Sequence, residues 1–257
     1  AHFGEWSYVT TLSTACSSAA NAFIHGAMLI ESGAYDCVVV GGSEALSRFH
    51  YNGFRSLLIL DPDSCRPFDS SRAGLNLGEG AAFVVLERES HALARGVQPL
   101  ATLSGWGNAC DAFHQTASSE EGIGAVLAMQ AALRRAGLQP DDIGYINAHG
   151  TGTPNNDASE LAAVRSVFPT LPPLSSTKSA TGHTTSASGS VEAVMCLLAL
   201  QHHFLPANLH WSSAMDEDLT PVLVPTPAPQ LRHVLCNAFA FGGNDTALVF
   251  SQYDTVQ

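Results

Sequence analysis

Apolar and polar positions along the 257-residue chain follow two periods, one near 2 and one near 3.6. Residues 6–12 alternate and are rich in Tyr, Val and Thr, which predicts a strand. Residues 17–30 place Ala, Phe, Ile, Met and Leu at helical spacing and stop short of Gly33, which predicts a helix. Residues 36–40 are a continuous apolar run closed by Gly41-Gly42, the mark of a strand buried on both faces. A loop-rich stretch over 61–80 precedes a strand at 81–87 and a short helix reaching Arg95.

From Pro99 the pattern begins again. Residues 100–105 read as a strand and 121–136 as an amphipathic helix with Gly137 just past its end. A strand at 145–148 runs directly into His149, and a helix over 158–168 is stopped by Pro169. A short strand at 174–177 precedes an apolar helix over 191–203, and strands at 234–238 and 246–251 flank a Gly-rich turn. Strands alternating with helices predict an α/β fold whose sheets are covered on both faces. The restart divides the chain into halves, 1–98 and 99–257.

Composition narrows the function. Hydrophobic residues make up 46% and charged residues 13%, which suits a large buried core and excludes a disordered tail. The net charge of -12 argues against nucleic acid as a partner, because phosphate binding needs a cationic face. No apolar run reaches the length of a membrane span. Six cysteines are spread without a CxxC pair, which predicts free thiols, no zinc site and a reducing, cytoplasmic setting.

Four strings carry candidate chemistry. Cys16, in TACSS, sits where a strand gives way to a helix, and helix N–H groups there would lower the thiol pKa. A buried structural cysteine is the plain alternative. His149, in NAHGTGTPNND, ends a strand and precedes the hydroxyls of Thr151 and Thr153. Asp157 and Glu160 have the D-x-x-E spacing of a capping box. Lys178 and His183 lie five residues apart in SSTKSATGHTTSASGS, a run of small and hydroxyl residues able to line a tunnel. Phe239 and Phe241 precede Gly242-Gly243 between two strands. That string suits either a hairpin turn with aromatic anchors or a mobile aromatic beside an oxyanion-binding N–H.

Taken together, TACSS, SCRPFDSSRAGLNLGEGA, NAHGTGTP, STKSATGH and CNAFAFGG resemble, in order, the motifs of the elongating β-ketoacyl synthases of the thiolase-fold superfamily. The resemblance implies a layered α-β-α-β-α fold with an incomplete N-terminal half, since about the first third of a typical member is missing. It implies a decarboxylative condensation: Cys16 takes an acyl group from an acyl carrier protein, and malonyl carrier loses CO₂ to give an enolate held by His149 and His183. It further implies pantetheine binding by Thr151 and Thr153, an oxyanion hole from the N–H groups of Cys16 and Phe241, and an acyl gate at Phe241. Lys178 and Glu160 would be the charged pair ordering the histidines, with Asp157, Phe239, Gly242 and Gly243 in support. No metal or diffusible redox cofactor is implied, because decarboxylation itself drives the condensation; the substrates ride on carrier phosphopantetheine.

Expected partners are the carrier, the missing N-terminal segment, and a second subunit joined near residues 7–14. That subunit would make a homodimer, or a heterodimer with a related ketosynthase or chain-length factor. Ser186 and Ala240 stand where the family usually has Gly, Ala238 where it has Ser, and Asn244-Asp245 where it has Thr-Asn. Ala240 is expected to stiffen the gate, and these departures suggest a specialised polyketide or polyene synthase. The competing readings are a non-catalytic chain-length-factor-like subunit, which typically lacks the nucleophile retained here, and an inactive ketosynthase fragment.

Overall fold

The computed structural model describes residues 7–253. It is built on a five-stranded mixed sheet, Ala101–Cys110 (β3), Tyr145–Asn147 (β4), Leu174–Ser175 (β5), His233–Ala238 (β8) and Asn244–Gln252 (β9), in the order β3-β9-β8-β4-β5. Strands β8, β4 and β5 run parallel, and β3 and β9 pair antiparallel. A two-residue period puts both faces to use. Along β8, Leu235 enters one core, while Val234, Cys236 and Ala238 enter the other.

Helices Ile123–Ala136 (α4) and Pro154–Val167 (α5) cover the first face through Met129, Leu133, Leu161 and Val164. Helix α4 lies tight on β3 because Gly105 and Gly107 leave room for it. A Cβ on either would fall 2.2 or 2.1 Å from a helix carbonyl. Helices Ser18–Glu31 (α1) and Ser188–His202 (α7) cover the second face, through Phe23, Ala193 and Leu200. Beyond them lies an antiparallel pair, Cys37–Glu44 (β1) with Gly80–Glu87 (β2), so α7 is sandwiched between two sheets and is apolar almost all round. Shorter pieces are Arg48–Ser56 (α2), Glu89–Ala94 (α3), Lys178–Thr181 (α6) and the pair Phe204–Leu205 (β6) with Thr226–Pro227 (β7). The layers are therefore α-β-α-β, with the outer face of β1–β2 open.

Several expectations change. Trp6 lies outside the described residues, and 7–12 form no strand, because nothing described offers them a ladder partner. The 36–40 run is a longer strand buried on one face only. Val38 and Val40 turn inward while Val39 is 42% exposed, as are Phe83 at 59% and Val85 at 53% across the pair. Helix α5 begins at Pro154 behind Thr153, so Asp157 lies inside the helix and the D-x-x-E pair is no capping box. Helix α2 has only nine residues and no buried side chain, and its pattern was too short to reveal it.

Candidate active site

Strands β8, β4 and β5 deliver their carboxyl ends to one edge, where open α/β sheets gather functional groups. His149 stands two residues beyond β4, Lys178 three beyond β5, and Phe239 directly after β8. Helix α1 brings Cys16 to the same edge. Ala15, ahead of it, takes φ +50, a left-handed conformation that turns the chain sharply into the helix. The turn is held by Ser18 Oγ donating to the Ala15 carbonyl at 2.6 Å and Ser17 Oγ donating to the Thr14 carbonyl at 2.9 Å.

The sulfur meets a histidine. Nε2 of His183 lies 3.0 Å from Sγ of Cys16, and the His149 ring stands edge-on to His183 with centroids 5.4 Å apart. All three side chains are buried. Burial pushes the Cys16 thiol up to about 11, against the lowering influence of Lys178 and of the backbone N–H groups of Phe241 and Cys16. The expected helix-activated thiolate is therefore corrected: desolvation outweighs the helix terminus, and the resting group is a thiol beside an imidazole. Both imidazoles are held well below the ordinary histidine range, by burial first and by Lys178 next.

Lys178 is wholly buried, and its Nζ touches His149 Nδ1 at 3.2 Å and the His149 carbonyl at 2.6 Å. Its ion-pair partner is Glu192 on α7, not Glu160 as expected. Glu192 is the only charged residue of that apolar helix, and its isolation was the signal that sequence reasoning passed over. An ammonium has only protons to give, so His149 Nδ1 accepts and the neutral ring carries its proton on Nε2. His183 differs, because its Nδ1 is buried without a hydrogen-bond partner and neither tautomer is locked.

Glu160 serves the backbone. Its two oxygens accept the N–H groups of His149 at 2.8 Å and Gly150 at 2.7 Å, and Asn237 donates to it at 3.1 Å. Burial still raises this carboxyl to about 7. Asp157 accepts the N–H groups of Gly152 and Phe68, tying the 149–153 loop to the loop-rich segment. Asn244, noted in the sequence only as a departure from the family, has a structural role. Its Oδ1 accepts from Ser17, Asn21 and Asn108 and fastens the base of α1 to the five-stranded sheet.

A cavity of about 300 Å³ opens over these groups. Cys16, His149 and His183 form its floor, Phe54, Phe239 and Phe241 its aromatic wall, and Thr151 and Thr153 part of its lip, with their hydroxyls 2.9 Å apart. Phe54, from the unforeseen helix α2, stacks on Phe241 at 6.1 Å and meets His183 edge-on at 6.5 Å. Phe241 is followed by Gly242 and Gly243 at φ +85 and +76, while Ala240 keeps an ordinary φ and fits without strain. A larger groove of about 750 Å³ between α3, residues 97–103 and β3 contains none of these residues. Among the described residues no cluster of His, Cys, Asp and Glu is arranged for a metal, and no helix is long and apolar enough to cross a membrane.

The N-terminal domain model of the β-ketoacyl synthases matches residues 3–92, and their C-terminal domain model matches residues 100–212. The chain belongs to the β-ketoacyl synthase family. It is 38% identical to a 3-oxoacyl-[acyl-carrier-protein] synthase 2 of Vibrio cholerae, over 94% of this chain and 61% of that protein. Among solved structures, the ishigamide ketosynthase/chain length factor superposes with a TM-score of 0.91 at 36% identity, covering 96% of this chain and 61% of the other. A ketosynthase in complex with its chain length factor from Xenorhabdus doucetiae gives 0.85 at 43% identity, over 95% and 60%. The chain thus spans about three fifths of these relatives. The fold is the thiolase-like layered fold of ketosynthases.

Proposed function

We propose that these residues form the condensing site of a β-ketoacyl synthase acting on carrier-bound acyl and malonyl groups. The observation that carries the reading is the 3.0 Å approach of His183 Nε2 to Cys16 Sγ beneath a cavity that also holds the His149 ring. In the first half, Nε2 of His183 takes the thiol proton as sulfur attacks the carrier thioester carbonyl. The acyl–sulfur bond to pantetheine breaks, and the leaving thiolate takes that proton away. In the second half, malonyl carrier loses CO₂, and the electron pair of the broken C–C bond becomes an enolate. Its oxygen faces Nε2–H of His149, fixed in that tautomer by Lys178, and Nε2–H of His183, whose unlocked ring allows either role.

The carbanion then attacks the Cys16 thioester carbonyl. The tetrahedral oxyanion lies beside the N–H groups of Cys16 and Phe241, and collapse expels the Cys16 thiolate, which takes a proton from water to restore the resting thiol. Thr151 and Thr153 hold the pantetheine arm, and Phe241 gates the acyl end. The division at 98/99, a cytoplasmic setting, and pairing with a homologous or chain-length-factor subunit belong to the same reading. The pairing is supported by the ketosynthase–chain length factor complexes that this chain resembles. Retention of Cys16 speaks against a chain-length-factor role for this chain itself.

The test is to incubate the full-length protein with acyl and malonyl carrier and follow CO₂ and β-ketoacyl product. Product that vanishes in Cys16→Ala, with labelling at Cys16 by a cerulenin-type electrophile in the parent, is expected. Condensation that survives Cys16→Ala, or a parent giving neither product nor label, overturns the reading.

A further inference from the structure

The segment that follows His183 is held by a residue outside the catalytic strings. Glu44 ends strand β1, on the opposite side of the chain's restart from His183. Its Oε2 accepts from Thr185 Oγ1 at 2.7 Å and from Ser186 Oγ at 2.6 Å, the first two residues of the short turn Thr185–Ala187. Its Oε1 lies 3.4 Å from Nδ1 of His50 on α2, the helix whose Phe54 packs on His183 and Phe241. The Glu44 side chain is only 16% exposed. Burial opposes its ionised form, but the Ser186 and Thr185 hydroxyls and His50 prevail and hold the carboxyl below its usual range.

The turn it grips is strained and closely seated. Thr185 takes φ +42, a conformation that a β-branched residue adopts only when its surroundings enforce it. Gly42, two residues before Glu44, allows the turn to lie against β1, since a Cβ there would sit 3.1 Å from Ala187 Cα. The alignment of His183 with Cys16 thus hangs on its peptide contacts with Asn76 and Gly78 on one side and on this turn on the other. His183 Nδ1 has no partner to fix the ring.

We propose that Glu44 is a positioning residue that sets the Cys16–His183 distance by clamping Thr185 and Ser186, and that it joins this geometry to the aromatic wall through His50. The role rests on the reading of Cys16 and His183 given above. It acts at a distance, and its signature is a pH profile. Near neutrality the thiol depends on His183 to take its proton, so a drifting imidazole slows attack. At high pH hydroxide removes the proton and the dependence fades. Loss of folded protein, in contrast, exposes the thiol and moves its alkylation toward that of a free cysteine at every pH.

Iodoacetamide alkylation of Cys16 in the full-length protein, followed by mass spectrometry from pH 6.5 to 10, separates these. Glu44→Ala is expected to slow alkylation about tenfold at pH 7 and far less at pH 10. Glu44→Gln, whose amide oxygen still accepts from a hydroxyl, recovers much of the rate. If Glu44→Ala fails to fold, the double variant Thr185→Val/Ser186→Ala removes the same contacts with Glu44 in place and is expected to reproduce the profile. Profiles that superimpose on the parent, or fall by one factor at all pH values, overturn the clamp. A parent whose Cys16 alkylation at pH 7 is unchanged by His183→Ala instead overturns the reading of the pair itself.

Discussion

At the residue scale, the site depends on which proton each ring carries, and one buried ammonium decides it for His149. Lys178 donates to Nδ1 and to the His149 carbonyl while Glu192 balances its charge. Replacing it by Met leaves a carboxylate inside α7 with only Ser188 to donate to it. Removing one partner of a buried pair costs about 3 kcal/mol of stability. It also frees His149 to put its proton on Nδ1, where no oxyanion forms. Lys178→Met in the full-length protein is expected to lower malonyl-carrier decarboxylation about a hundredfold. Glu192→Gln keeps an acceptor for Lys178 and leaves the tautomer in place, so about a tenfold loss is expected. CO₂ release at saturating malonyl carrier checks both. Equal losses in the two variants would mean that Lys178 acts through packing and not through the ring.

At the element scale, the turn between β8 and β9 combines two glycines whose demands differ. Gly242 at φ +85 has open space where a Cβ would go, while at Gly243, φ +76, a Cβ would fall 2.0 Å from Asp111 Oδ1. Gly242→Ala therefore pays backbone strain alone, about 1 kcal/mol, and Gly243→Ala adds a displaced Asp111, for about 2–3 kcal/mol. Melting curves are expected to fall by about 3 °C and about 6–9 °C in that order; equal shifts would contradict the contact. Elements with long periodic patterns were legible in the sequence: α1, α4, α7 and the strands β8 and β9 fall close to their expected places. Helix α2 was not, because nine residues with no buried face give no apolar stripe. Nor was the orientation of Glu160 and Glu192, since sequence spacing fixes the face of a helix but not which distant loop packs on it. The catalytic strings were legible because strand ends and glycine turns are local features. The thiol's protonation was not, because desolvation is set by everything folded over it.

At the scale of the molecule, the layers that bring Cys16, His149 and His183 together also bury acids far from water, and this shapes stability against pH. Asp245, behind the gate, is raised from 3.8 to about 8 by burial and by the neighbouring Asp111 and Glu160 carboxylates, and only the Ala240 N–H opposes this. Both acids crowd α4's first turn, where a Cβ on Gly124 would meet Asp245 Oδ2 at 2.2 Å and Asp111 Cβ at 3.0 Å. Glu160 is raised from 4.5 to about 7, and Asp157 and Glu192 shift the same way. A carboxyl whose folded pKa lies above its unfolded one stabilises fully below the unfolded value and loses that contribution as pH rises through the folded one. His149 and His183 work oppositely, charging in the unfolded chain below 6.5 while staying neutral in the fold. Between pH 4.5 and 6.5 the two sets offset each other. As pH rises past 6.5 the unfolded imidazoles shed their extra protons, half gone at 6.5 and most gone by about 7.5, while folded Asp245 still holds one that the unfolded chain has released. Stability is therefore expected to fall from pH 6.5 to 8 by about 1.4 kcal/mol per pH unit for each such proton. Cys16 and Cys65 do not enter this window, because their unfolded values are 9.0. Asp245→Asn keeps an acceptor for Ala240 and removes the titration, so urea midpoints across this range are expected to flatten. A variant that declines as steeply as the parent would place the titration elsewhere, and a parent that grows more stable toward pH 8 would show that Asp245 is ionised in the fold.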